Sequence, residues 1–361
     1  MKPTEQLHEL GQSLWLDNIT RPMLDSGTLA RYIAELDVTG LTSNPTIYDK
    51  AIGGSDAYDD AVRSSVDAGA SPEETFFALA IADLVRAADL FRPAHLASAG
   101  VDGFVSLEVS PLIAYDSDTT LADAKRLHAT AGRENLFIKI PGTQEGLVAI
   151  EEAIFAGVPI NVTLLFSPKQ YLACAEAYTR GIERRLEAGL DPFVASVASL
   201  FISRWDAAVT DRVPADLALK LGLAVGGAAY AEYVAFYASP RWQALQAKGA
   251  TPQRLLFAST GTKDPTASKT LYIDGLAAPD TINTMPEETL LVLADADITF
   301  RPLPTDGDAA RATLARFEAA GISIDGLGLE LQQKGAESFV KSWESLLARV
   351  AEKSQAVASG S

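Results

Sequence analysis

The stretch Leu136-Phe-Ile-Lys-Ile-Pro-Gly-Thr-Gln-Glu-Gly-Leu-Val-Ala-Ile-Glu151 has the order of a β-strand followed at once by an α-helix. In its first five residues, aliphatic side chains alternate with Phe137 and Lys139, so the two sets point to opposite faces of a strand. From Leu147 to Ile154, apolar side chains recur at helical spacing. The segment is therefore a strand and helix unit with a lysine on one face of its strand.

The same alternation of short apolar runs and helix-like segments occurs about eight times along the chain, which is typical of a parallel α/β sheet. We predict a single (β/α)8 TIM barrel with additional helices. The other predicted strands are Ser13–Asp17, Gly40–Asn44, Phe104–Ser110, Ile160–Ser167, Phe193–Ser199, Leu255–Thr260 and a weaker one near Asp280–Asn283.

Two helix starts are explicit, because Ser71-Pro72 and Ser167-Pro168 combine an N-cap serine with proline at the first helical position. No linker rich in Ser, Gly or Pro divides the chain. We therefore expect one barrel domain over residues 1–350, with helical additions at both ends. Residues 351–361 offer little to bury after a predicted helix over Ser338–Val350, and we expect a disordered tail there.

Composition excludes several classes of protein. The 361 residues carry 30 Lys and Arg against 47 Asp and Glu, a net charge of −17, and no basic run is present to attract nucleic acid. No apolar stretch is long enough to span a membrane, and the first residues lack the pattern of a secretory signal, so we expect a cytoplasmic protein.

Metal and disulfide chemistry are also disfavoured. Cys174 is the single cysteine, and the three histidines, His8, His95 and His128, are too scattered for a metal motif. We expect no metal and no cofactor.

Strand alternation places polar and charged side chains on the face opposite the aliphatic one. If the aliphatic faces contact the helices, the barrel interior contains Asp17, Asn44, Glu108, Lys139, Asn161 and Thr163. Barrel interiors are usually Val, Ile and Leu, and an unpaired buried charge costs several kcal/mol. Two interpretations remain open: an ion pair between Lys139 and Glu108 or Asp17 that completes the core, or a catalytic site.

One lysine beside two carboxylates suits Schiff-base chemistry. A free lysine, with a pKa of about 10.4, is only about 0.04% neutral at pH 7, whereas the neutral amine is the form that attacks a carbonyl. A barrel interior supplies desolvation that favours a neutral amine. The carboxylates would act as general acid and base, and the amides would orient sugar hydroxyls.

These residues resemble transaldolase, a class I Schiff-base enzyme on an eight-stranded α/β barrel. The segment Leu136–Glu151 is similar to the family's lysine signature throughout, and Thr42-Ser-Asn-Pro-Thr46 is similar to its second signature. Shorter matches are Leu14-Trp-Leu-Asp-Asn18, Leu107-Glu-Val109 and Asn161-Val-Thr-Leu-Leu-Phe-Ser167.

The resemblance implies a role for each residue. Lys139 would form the Schiff base, Asp17 would take and return the proton of the hydroxyl whose loss cleaves the carbon–carbon bond, and Glu108 with Thr163 would handle a catalytic water. Asn44 and Asn161 would hold the dihydroxyacetone moiety. The implied reaction transfers this three-carbon unit between sedoheptulose 7-phosphate or fructose 6-phosphate and an aldose phosphate, in the non-oxidative pentose phosphate pathway.

The implied phosphate site departs from the family pattern. Ser199 and Arg204 are similar to the family's serine and phosphate-binding arginine after strand six, and an arginine fork suits phosphate. After strand seven, Ser259-Thr-Gly-Thr-Lys263 replaces the Ser-x-Arg of many relatives. Ser259 aligns directly, and we expect Lys263 to be the second phosphate ligand through a shifted register.

Two alternatives stay open. A fructose 6-phosphate aldolase of the same superfamily would release the three-carbon unit to solvent, although a tyrosine in the role of Glu108 would favour that enzyme. A non-catalytic sugar-phosphate-binding protein would need no inward lysine such as Lys139. The expected partners are phosphorylated ketoses and aldoses, and the sequence leaves monomer and homodimer open.

Overall fold

The computed structural model describes residues 2–359. Its strands are β1 (Ser13–Asp17), β2 (Val38–Thr42), β3 (Val105–Glu108), β4 (Leu136–Pro141), β5 (Ile160–Leu165), β6 (Ser196–Phe201), β7 (Arg254–Ala258) and β8 (Ile282–Met285). Its helices are α1 (Pro3–Leu10), α2 (Arg21–Asp25), α3 (Thr28–Glu35), α4 (Pro45–Gly53), α5 (Asp59–Asp67), α6 (Pro72–Ala97), α7 (Ser117–Ala131), α8 (Gln144–Phe155), α9 (Pro168–Glu187), α10 (Ser203–Val209), α11 (Leu221–Tyr237), α12 (Pro240–Gln246), α13 (Leu271–Asp274), α14 (Glu287–Ala294), α15 (Asp308–Ala319) and α16 (Ile324–Ser359).

The eight strands form one sheet in the order β2-β1-β8-β7-β6-β5-β4-β3, and each pair of neighbouring strands in this order is parallel. The backbone N–H of Leu41 in β2 donates to the carbonyl of Phe104, just before β3, over 3.0 Å. This bond joins the two ends of the sheet. The predicted (β/α)8 barrel with additional helices is confirmed.

The sequence prediction places all eight strands correctly and misses only some of their ends. The observed β6 begins at Ser196 rather than Phe193, and β8 runs two residues later than predicted. Both predicted N-caps are confirmed, since the hydroxyls of Ser71 and Ser167 accept from the backbone N–H three residues on, within capping boxes.

The amino end of the barrel is filled by aromatic rings. Phe137 stacks on Phe104 with ring centroids 4.0 Å apart and lies 6.1 Å from Trp15, whose indole N–H donates to Asp102 over 2.9 Å. Gly40 makes room for the indole, because a Cβ at that position would lie 2.6 Å from it. These rings close one end of the barrel and leave polar side chains at the other.

The last helix corrects one prediction. Residues 351–361 were expected to form a disordered tail, but α16 continues to Ser359, so the expectation is wrong for residues 351–359, while residues 360 and 361 lie outside the described part. The extra turns dock on α5: Lys353 Nζ lies 2.6 Å from the Asp59 carboxylate, and Arg63 donates to the carbonyl of Val357 over 3.0 Å. The single-domain boundary at residue 350 stays a prediction.

Within residues 2–359, no helix combines the length and apolarity that a membrane span requires. The same residues contain no group of three His, Cys, Asp or Glu side chains placed to hold a metal ion.

Candidate active site

The carboxyl ends of the strands surround a cavity of about 370 Å³. Eight of the ten predicted site residues line it, namely Asp17, Asn44, Lys139, Thr163, Ser199, Arg204, Ser259 and Lys263. The other two, Glu108 and Asn161, lie directly behind this lining, as the contacts below show. This is the end of a (β/α)8 barrel where active sites are built.

Lys139 is buried at the centre of the site, with 7% of its side chain exposed. Its Nζ lies 3.1 Å from Glu108 Oε1 and donates to the carbonyl of Ser43 over 3.0 Å. The parallel register pairs Glu108 with Lys139 and Lys139 with Asn161 on neighbouring strands, which brings the three side chains to one level of the barrel. An ion pair is therefore present, and it lies against a cavity.

Glu108 and Thr163 flank a second, much smaller space. A cavity of about 10 Å³ is lined by both residues, and a space of this size can hold a single water molecule. Within the described residues, the Oε2 atom of Glu108 and the hydroxyl of Thr163 are buried and have no hydrogen-bond partner. Burial raises the pKa of Glu108, and the positive charge of Lys139 partly opposes that rise.

Asp17 ends β1 and faces the large cavity beside Lys139. Burial raises the pKa of Asp17, while the charge of Lys139, a hydrogen bond from Thr42 and the charge of Lys263 lower it. Thr42 donates to Asp17 Oδ1 over 2.9 Å, and its hydroxyl also lies 2.8 Å from that of Thr284. A carboxyl group whose pKa is raised by burial and that lies beside cations is suited to taking up and returning a proton.

The two amides have different surroundings. Asn161 is fully buried, donates to Ser106 over 3.0 Å and accepts from Ser199 over 2.7 Å, so it fixes the Ser199 hydroxyl at the cavity wall. Asn44 is the N-cap of α4, and its Oδ1 accepts from the backbone N–H of Ile47 over 3.1 Å. The same residue lines the large cavity.

Comparison with known proteins agrees with this geometry. Residues 14–350 match the family model described as Transaldolase/Fructose-6-phosphate aldolase. The chain is 45% identical over 359 residues to a protein named Transaldolase from Thermobifida fusca (strain YX), covering 97% of this chain and 98% of the relative. The chain belongs to the transaldolase family. Membership confirms the prediction that the protein is an enzyme of the transferase class.

Two further relatives of the transaldolase family cover nearly the whole chain. A Transaldolase from Frankia alni is 43% identical over 359 residues, covering 97% of each chain. A protein named Transaldolase 2 from Nostoc punctiforme is 40% identical over 361 residues, covering 95% of each chain.

The side of the cavity near β6 and β7 carries the two predicted cations. Arg204 follows β6, and its guanidinium lies 5.1 Å from the centre of the Phe201 ring. Ser203 ties this segment to Ser259, since their hydroxyls are 3.1 Å apart. Within residues 2–359, neither Arg204 nor Lys263 has a carboxylate within ion-pair distance, so both charges are available to an anion.

Gly261 is two residues after Ser259, at the arginine position of the Ser-x-Arg pattern that the resemblance implies. A Cβ there would lie 3.1 Å from the ring of Pro286, so an added side chain would require that ring to shift slightly. Lys263, two residues later, lines the cavity instead.

Sequence reasoning missed several cavity residues. Thr42 could have been found, because it shares one face of the predicted strand Gly40–Asn44 with Asn44. Lys50, four residues after Thr46 on α4, also lines the cavity, and one turn of α16 contributes Ser338. The alternation of residues along strands could not predict Lys50 or Ser338, because both lie on helices whose contact with the barrel depends on the tertiary structure.

Proposed function

We propose that the protein is a transaldolase that moves a dihydroxyacetone unit from a phosphorylated ketose to an aldose phosphate through a Schiff base on Lys139. The observation that carries this proposal is the contact of Lys139 Nζ with Glu108, 3.1 Å, at a cavity that also presents Asp17 and the cations Arg204 and Lys263. A purely structural ion pair would not need that cavity.

Imine formation is the first proposed step. The neutral amine of Lys139 attacks the C2 carbonyl of the ketose, and the carbonyl oxygen leaves as water to give a protonated imine. Glu108, whose pKa is raised by burial, supplies and recovers protons for this water together with the Thr163 hydroxyl.

Cleavage and transfer use Asp17. The Asp17 carboxylate takes the proton of the C4 hydroxyl, the bond between C3 and C4 breaks, and its electron pair moves into the imine to give an enamine. An aldose phosphate leaves. The enamine carbon then attacks the carbonyl of the acceptor aldehyde, Asp17 returns its proton to the new hydroxyl, and water releases the new ketose from Lys139.

Substrate binding follows from the cavity walls. Asn44, Asn161 and Ser199 would hold the hydroxyls of the three-carbon unit, while Arg204, Ser259 and Lys263 would bind the phosphate. Fructose 6-phosphate and sedoheptulose 7-phosphate are the expected ketoses, as in the non-oxidative pentose phosphate pathway. No metal or cofactor enters this scheme, and we expect a cytoplasmic enzyme.

A transfer assay tests the proposal against an aldolase. The protein is incubated with fructose 6-phosphate with and without erythrose 4-phosphate, and both sedoheptulose 7-phosphate and free dihydroxyacetone are measured. Transfer with little free dihydroxyacetone is expected, and Lys139→Met should abolish it. Release of dihydroxyacetone at the same rate without acceptor would favour the fructose 6-phosphate aldolase, and binding without either product would favour the non-catalytic protein.

A further inference from the structure

The C-terminal helix α16 reaches the catalytic end of the barrel through Gln332. Its side-chain amide donates to the carbonyl of Gly142, just after β4, and to the carbonyl of Leu164 in β5, both over 2.9 Å. Gln332 is half-buried and uses both N–H donors on these two carbonyls. It therefore links the ends of the strands that carry Lys139 and Thr163.

The backbone of β5 is irregular at this point. The register between β5 and β6 shifts between Val162 and Leu165, and Leu164 has a φ of +59°, in the left-handed region that non-glycine residues rarely adopt. A bulge of this kind redirects the neighbouring side chain and needs support from its surroundings. Thr163 is the residue immediately before Leu164, so the bulge sets the direction of its hydroxyl.

The same helix closes the small cavity between Glu108 and Thr163. Ala336 and Phe339, one and two turns after Gln332, line that cavity of about 10 Å³. The carbonyl of Thr163 also accepts from Gly142 N–H over 2.7 Å, so holding Gly142 also holds Thr163. Helix α16 therefore contacts both the backbone next to Thr163 and the small cavity that Thr163 lines.

We propose that Gln332 is a positioning residue for the water steps of the reaction: by holding the Leu164 and Gly142 carbonyls, it keeps the Thr163 hydroxyl at the cavity shared with Glu108. This rests on the proposed function. Imine formation removes the C2 oxygen of the ketose as water, and hydrolysis of the imine places an oxygen from solvent on C2. Exchange of that oxygen with ¹⁸O-labelled water therefore reports these steps without carbon–carbon cleavage.

The test compares Gln332→Met, which keeps length but removes both donors, with Gln332→Lys, which restores a donor. Gln333→Met, at the exposed neighbouring position, is the matched control. We expect Gln332→Met to lower kcat and ¹⁸O exchange into fructose 6-phosphate together by about tenfold to a hundredfold, the effect of displacing a reacting group by about 1 Å. KM should stay unchanged, and Gln332→Lys should recover most of the exchange rate.

Unchanged exchange in a folded Gln332→Met variant, or a loss confined to KM, would overturn the positioning role. If Gln332→Met fails to fold, Gln332→Glu, which keeps the shape and also lacks the donors, is measured in its place with the same expectations. Failure of the proposed function is recognised separately, because the unmodified protein would then show neither transfer nor oxygen exchange.

Discussion

At the carboxyl end of the barrel, two carboxylates lie beside different cavities. Glu108 contacts the Lys139 amine and the small cavity, whereas Asp17 faces the large one and is oriented by Thr42. Burial raises the pKa of both groups. Carboxylates in such surroundings exchange protons with a substrate more readily than exposed ones do.

Asp17→Asn should separate activity from stability. Removing the carboxylate proposed as the general base should lower kcat by about 10² to 10⁴-fold. Because burial raises the pKa of Asp17 in the folded protein, its ionised form destabilises the fold at pH 7, and this penalty is absent at pH values below the pKa of the unfolded chain. The variant should therefore have a higher Tm than the unmodified protein at pH 7 and an equal one in acid.

Calorimetry across pH 3 to pH 8 and steady-state kinetics measure the two effects of Asp17→Asn. Asp211→Asn, at an exposed position, serves as the control and should change neither quantity. A lower Tm for Asp17→Asn at pH 7 would show that the ionised carboxylate stabilises the fold.

Thr42→Val should move the acid limb of the pH–rate profile to higher pH. The Thr42 hydrogen bond lowers the pKa of Asp17, and its loss lets that pKa rise, so the carboxylate becomes protonated at a less acid pH. Thr39→Val, on the opposite face of β2, should leave the profile in place. An unmoved acid limb in Thr42→Val would mean that another group controls it.

The placement of the inward residues was predictable because strand alternation alone separates them from the aliphatic face. The same rule predicts Thr42, two residues before Asn44. It cannot predict Lys50, since a cavity wall formed by a helix depends on how distant elements pack.

At the scale of elements, α16 was the least predictable part of the fold. A helix was expected only over Ser338–Val350, whereas it runs from Ile324 to Ser359. Its last turns carry few large apolar residues and are stabilised by polar contacts with α5, including the ion pair of Lys353 and Asp59. Such partners are far away in sequence, so neither periodicity nor composition reveals them.

Gly335 of α16 lies close to Leu164 and Arg204. A Cβ at this position would lie 2.9 Å from Leu164 Cδ2 and 3.4 Å from Arg204 Nη1. Glycine inside a helix costs about 1 kcal/mol relative to alanine, so the close approach explains its presence.

Gly335→Ala should disturb the bulge of β5, because the added Cβ would lie 2.9 Å from Leu164 Cδ2 but at the ordinary contact distance of 3.4 Å from Arg204 Nη1. We expect kcat for fructose 6-phosphate to fall about tenfold to a hundredfold, the effect of displacing a reacting group by about 1 Å, while KM changes little. Gln333→Ala, at an exposed position of the same helix, is the control. A rise in KM with unchanged kcat would show that Gly335→Ala acts on substrate binding instead.

The whole molecule has a net charge of −17, yet the large cavity is positive. Among the described residues that line it, Lys50, Lys139, Arg204 and Lys263 face a single carboxylate, Asp17. Charges of the cavity act on a bound phosphate at contact distance, whereas surface charges more than about 10 Å away are screened at 0.1 M salt. The cations of the cavity should therefore determine how KM for a phosphorylated sugar changes with salt concentration.

Raising the salt concentration from about 0.02 to 0.5 M, which shortens the Debye length several-fold, should increase KM for fructose 6-phosphate. KM for unphosphorylated fructose should not change. Lys263→Met should weaken this dependence, with the exposed Lys248→Met as control. A fall in KM with added salt would mean that repulsion by the acidic surface dominates.

Schiff-base formation at Lys139 is tested most directly by reduction with borohydride in the presence of fructose 6-phosphate, followed by peptide mapping. The geometry predicts loss of activity and a stable mass adduct on the peptide that contains Lys139, at that lysine alone, with no adduct in Lys139→Met. An adduct on another lysine such as Lys263, or none at all while the protein still catalyses transfer, would contradict it.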